Sequence, residues 1–180
     1  TSAVVNMSGM FYDCSSLTNI DLSGMDIENL KDFSSLFSGC TNLKEVKLGD
    51  IGKNIINLDV NVEGTIQKNY INSTSWMFSG CSSLESLDLS NFNYSNIGAS
   101  KSDWIFRECD KLTTIYTPYN VAKEIPLPEG DWYMADGTKL TDNCLPKNLS
   151  YSVLIQKGSK PSVSTARMEV SKKKALYGCG

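Results

Sequence analysis

The chain has 180 residues, 41% of them apolar, with six cysteines, no histidine and a formal charge of −3. That length suits one domain plus a tail, and no apolar run reaches the roughly 18 residues that a membrane-spanning helix needs, so membrane insertion is not expected. From Lys157 onwards six basic residues against Glu169 give a net +5, leaving −8 on residues 1–156, and an acidic body of this kind argues against nucleic acid as its partner.

Taken in chain order, the first recognisable element is Met10-Phe11-x-x-Cys14, continued by Leu17, Ile20 and Leu22. The same spacing returns at Leu36-Phe37-x-x-Cys40 with Leu43, Val46 and Leu48. Residues 50–75 then hold an insertion, in which Ile56, Leu58, Val60 and Val62 alternate with polar residues and Glu63-Gly64 marks a turn. That pattern predicts a hairpin with Thr65–Ile71 as its second strand. A third unit follows, Met77-Phe78-x-x-Cys81 with Leu84, Leu87 and Leu89, and a fourth, Ile105-Phe106-x-x-Cys109 with Leu112, Ile115 and Thr117.

Cysteine-to-cysteine periods are 26, 41 and 28 residues, the middle one stretched by the insertion. Within each unit the apolar period shortens from three or four residues to two, which predicts a short helix leading into a short strand. No unit can bury its apolar face alone. Stacking would place the strands about 4.8 Å apart in a parallel sheet and close a shared core. The expected fold class is α/β: a right-handed leucine-rich-repeat solenoid of short parallel strands and short helices over residues 1–117.

A small β cap is expected over residues 118–156. Pro118, Pro126 and Pro128 break regular structure, and Trp132-Tyr133-Met134 and Thr138-Lys139-Leu140 flank the turn Ala135-Asp136-Gly137. Trp132 is read as a plug over the last rung instead of a sugar-stacking ring. Residues 152–156 read as one more strand. The basic tail, 157–180, is expected to pack back through Ala166, Met168 and Val170.

Leu22-Ser23-Gly24-Met25-Asp26, followed by Leu30, Phe33, Leu36-Phe37 and Cys40, resembles the BspA-like leucine-rich repeats, also described as the Mycoplasma lipoprotein repeat. Leu89-Ser90-Asn91-Phe92-Asn93 matches again, and residues 1–11 fit the second half of a unit, so the chain is expected to begin inside a repeat. The resemblance implies an exported or cell-surface bacterial protein, an adhesion or binding module with a protein or glycan partner.

Four of the cysteines share one register and are expected to form a ladder of buried, unpaired thiols. Disulfides between adjacent rungs stay open, since the rung spacing lies within the Cα separation a disulfide accepts. Cys144 and Cys179 stand outside the ladder and are the expected pair. No C-x-x-C knuckle accompanies them, so neither a metal nor another cofactor is expected.

Without histidine the usual Ser-His and Cys-His nucleophile pairs are absent, and no phosphate-cradling glycine loop is present. Asp21 and Asp88 occupy equivalent strand positions with Lys47 between them, a pattern that charge alternation across rungs explains better than an acidic-residue hydrolase. The residues flanking the inward strand positions make the candidate binding face: Asn19, Asp21, Glu45, Lys47, Ser86, Asp88, Thr114 and Tyr116. Tyr116, beside Tyr119, is expected to be a solvent-facing anchor. The expected function is non-catalytic binding or adhesion outside the cell by a monomer. A structural spacer for another domain is the alternative, and the insertion is an alternative site.

Overall fold

The computed structural model describes residues 6–25, 30, 32–49, 60–62, 65–67, 73–92, 94, 104–118, 121, 124–147 and 152–156. The segments around Met-Phe-x-x-Cys are runs of tight turns. In the first unit Met10, Tyr12 and Cys14 donate their N–H groups three residues back, to the carbonyls of Met7, Gly9 and Phe11, at 3.0–3.2 Å. The intervening Gly9, Phe11 and Asp13 donate sideways, to Ser34, Leu36 and Ser38 of the second unit, at 2.8–3.0 Å. The second unit does the same towards the third, with Phe33, Ser35, Phe37 and Gly39 donating to Ser73, Ser75, Met77 and Ser79 at 2.8–2.9 Å. Phe78 and Gly80 pass the pattern on to Ile105 and Arg107 of the fourth.

This division of N–H groups is incompatible with an α-helix, which commits each interior one to its own i−4 carbonyl. It also needs left-handed backbone twice per unit. Gly9 and Asp13, Ser35 and Gly39, Trp76 and Gly80, Trp104 and Glu108 all have φ between 54° and 80°. The expected α/β solenoid is therefore corrected. Among the described residues there is no helix, and the strands fall into four separate sheets of mixed direction instead of one continuous parallel sheet. The misleading signal is geometric: positions i and i+3 of a tight turn lie on one side, as they do in a helix.

Strands β1 (Asn19–Asp21) and β2 (Glu45–Lys47) pair in parallel. In the insertion, β3 (Val60–Val62) and β4 (Thr65–Gln67) form the expected antiparallel hairpin, most of the remaining insertion lying outside the described residues. β5 (Ser86–Asp88) pairs in parallel with β6 (Thr114–Tyr116). The closing segment contributes β7 (Ile125–Pro126), β8 (Trp132–Met134), β9 (Cys144–Leu145) and β10 (Val153–Gln156). β10 lies antiparallel between β6 and β8, and β7 pairs with β9. Trp132 is 1% exposed and its indole Nε1 donates to the Pro128 carbonyl at 2.9 Å.

The core runs along the stack through equivalent positions: Leu43, Leu84 and Leu112, then Phe37, Phe78 and Phe106, all buried. Phe37 stacks on Phe11 and on Phe78, each pair with ring centroids 5.5 Å apart. Cys40, Cys81 and Cys109 are buried free thiols, and each donates to the carbonyl of the phenylalanine one unit earlier, Phe11, Phe37 and Phe78, at 3.0, 3.2 and 3.1 Å. Cys14 departs from the expected ladder in being exposed. The reason is its place in the first unit, whose outer side no other described unit covers. Cys144, expected to pair with Cys179, is a half-buried free thiol. Cys179 and the rest of the basic tail lie outside the described residues, as does Tyr119.

Candidate functional site

The eight strand residues do not form one even face. Asn19, Asp21, Glu45 and Lys47 are exposed, Ser86 and Asp88 half-buried, and Thr114 and Tyr116 only 1% and 4% exposed. Tyr116 is therefore not the solvent-facing anchor that alternation along the strand suggests. β6 is an interior strand with β5 on one side and β10 on the other, whereas β1 and β2 stand at the less covered end of the stack.

Between β2 and β5 the strand ladder is interrupted, and each is the edge strand of its own sheet. The turn side of the same two units stays closed through the four bonds from Phe33, Ser35, Phe37 and Gly39. β2 and β5 stay close to each other without pairing, and a groove of about 740 Å³ lies along this side. Glu45, Lys47, Ser86, Asp88 and Tyr116 line it, five of the eight residues singled out from the sequence. Val46 lines it too, and is half-buried where the equivalent Leu87 and Ile115 are 2% and 0% exposed. Asn19, Asp21 and Thr114 do not line the groove.

Polar chemistry fixes the groove's walls. Lys47 Nζ lies 3.9 Å from Asp21 Oδ2 on the neighbouring strand, the cross-rung pairing expected of opposite charges, and 3.7 Å from Glu45 Oε1 on its own strand. Asp21 Oδ1 accepts from the Ser23 hydroxyl at 2.5 Å and the Ser23 N–H at 2.9 Å, and these bonds hold its carboxyl below the usual carboxylate range. A carboxylate so stabilised is a poor proton donor near neutrality, which weighs against an acid-catalytic role for it. Asp88 makes the same turn with Ser90, at 2.6 and 2.9 Å.

At one end the Asn91 amide donates across to the Gly49 carbonyl at 2.6 Å. Gly49 has φ +59°, and a Cβ there would stand 2.5 Å from the Ser23 Cα. Gly49→Ala is accordingly expected to destabilise the fold by about 1–3 kcal/mol, since backbone must move to admit the methyl group. An unchanged urea midpoint for G49A would contradict the close approach of these two chain segments.

A second exposed cluster, Tyr12, Trp76 and Trp104 with Arg107, lies on the turn side and is absent from the sequence-derived candidates. Aligning the units would have exposed it: tryptophan stands at positions 76 and 104 where Gly9 and Ser35 stand in the other units. Among the described residues no cluster of His, Cys, Asp or Glu could hold a metal ion.

The BspA-type leucine-rich repeat region matches residues 7–126, in six copies. No curated protein and no solved structure matches the chain.

Proposed function

Since the chain belongs to the BspA-type leucine-rich repeat family, we propose that it is a non-catalytic module, displayed outside a bacterial cell, that holds a protein partner in the groove between β2 and β5. The family is associated in general with surface proteins that bind other proteins. No helix among the described residues is long and apolar enough to cross a membrane.

The observation that carries this reading is the interrupted ladder. Two edge strands border one concavity, so a partner lying along it would meet edge-strand backbone as well as the charged side chains of its walls. Lys44, Glu45 and Lys47 alternate in charge along one wall, while Glu85 and Asp88 make the other acidic, an asymmetry that would orient a partner in the groove.

The test is a binding screen of the whole chain against extracellular-matrix and bacterial surface proteins, followed by Lys47→Glu. At least a tenfold loss of affinity is expected, with little change in stability because exposed ion pairs contribute at most about 1 kcal/mol. Binding that survives K47E but disappears on deletion of residues 52–72 would move the site to the insertion. Failure to bind any protein would favour the spacer reading.

A further inference from the structure

The register that places the tryptophans also says what they are not for. Trp76 and Trp104 occupy the first left-handed position of their turns, with φ +61° and +60°, a conformation that bulky L-residues rarely adopt. Neither ring pays for this by filling the core, since they remain 37% and 55% exposed. They lie side by side instead, centroids 5.9 Å apart and tilted by 31°. The Arg107 guanidinium sits 5.6 Å from one ring centroid and 5.3 Å from the other. Arg107 Nε is in turn 3.2 Å from Glu108 Oε1, which fixes the guanidinium and balances its charge.

Facing this cluster, in the first unit, is Tyr12, 57% exposed. Tyr12 and Trp76 line a trough of about 400 Å³ together with Ser35, Ser38, Ser79 and Arg107, whereas Trp104 stands outside its lining. Units stack about 4.8 Å apart, so Tyr12 in the first and Trp76 in the third are about 10 Å apart along the stack, a span suited to two sugar rings. That volume is at the small end of ligand sites.

We propose that this trough is a second binding site, for a neutral saccharide. Aromatic faces offer an apolar platform to the C–H side of a pyranose, while serine hydroxyls and the remaining guanidinium donors meet its hydroxyl groups. Arg107 and Glu108 cancel, and the −8 of residues 1–156 opposes an anionic glycan. A floor of small polar residues suits a sugar better than the apolar anchor of a protein partner.

The whole chain should be titrated with maltotetraose, cellotetraose, chitotetraose and N-acetyllactosamine, with heparin as the anionic control. Tryptophan emission reads the trough, because the third tryptophan, Trp132, is buried. At least one neutral saccharide is expected to bind, and Trp76→Gly should weaken it tenfold or more, with a smaller loss for Trp104→Gly, whose ring only backs Trp76 and Arg107. Glycine is at ease at positive φ, so both variants should keep the parent thermal midpoint. Lys47→Glu, in the groove on the strand side, should leave saccharide affinity unchanged, which separates this site from the one proposed above. Binding of heparin alone, binding of none of the saccharides, or saccharide binding indifferent to Trp76→Gly would overturn the proposal. So would loss in W76G of a protein partner's affinity while no saccharide binds.

Discussion

Phe37→Ala is expected to lower the unfolding free energy by about 3–5 kcal/mol, a large part of what a domain of this size has. The ring is fully buried and is gripped from both sides, with Phe11 at 5° and Phe78 at 16° to its plane. Each stacked pair adds about 0.5–1.5 kcal/mol to the burial itself. The backbone around it cannot close the gap easily, because its own N–H is committed to Met77 and its carbonyl accepts both the Cys40 N–H and the Cys81 thiol. The cavity therefore stays open and its cost is added to the lost transfer energy. Phe11→Ala should cost much less, since Phe11 is half-exposed and belongs to the first unit. Denaturant midpoints at constant m-value would measure both. Equal losses at positions 11 and 37 would show that the stacked column is not the spine of the fold.

The same column explains how much the residue pattern reveals. Equivalent apolar residues recur because equivalent positions touch in the stack, so Cys40, Cys81 and Cys109 and the leucines three residues further on can be placed in the core from spacing alone. What spacing does not encode is which partner an N–H group chooses. A turn whose alternate N–H groups go to the next unit shows the apolar rhythm of a helix, and the left-handed sites that forbid the helix are taken by serine, aspartate, glutamate and tryptophan as well as glycine. Alternation along β6 assigns Thr114 and Tyr116 to an open face, yet says nothing of β10, which follows after 36 intervening residues and makes β6 an interior strand with all three residues buried. The groove is likewise invisible in the repeat, for Val46 and Leu87 share a register although their strands do not pair. It lies at the unpaired junction of β2 and β5, where the chain also carries its insertion.

Stability is expected to fall steeply above pH 9, because the buried thiols cannot ionise in place. Burial pushes the Cys40 thiol up to about 11, with repulsion from Cys14 adding to it, and pushes Cys109 up to about 12. Cys81, in the middle of the ladder, is raised as well, again chiefly by burial. In the unfolded chain all three would titrate near the ordinary value of 9.0. Below pH 9 both states hold these protons and the full stability is present. Above it the unfolded state binds fewer protons than the folded one, so each thiol draws the equilibrium towards unfolding by about 1.4 kcal/mol per pH unit until its folded-state value is reached. Three thiols together approach about 4 kcal/mol per unit between pH 9 and 11. Tyr94, also raised by its burial, adds to the slope above pH 10. Urea midpoints between pH 8 and 11 would follow the decline. Cys109→Ala should start from a lower stability, having lost the bond to the Phe78 carbonyl, but decline about one third less steeply. A slope left unchanged by that substitution would mean that the ladder does not hold its protons, and with them its dry interior, against alkali.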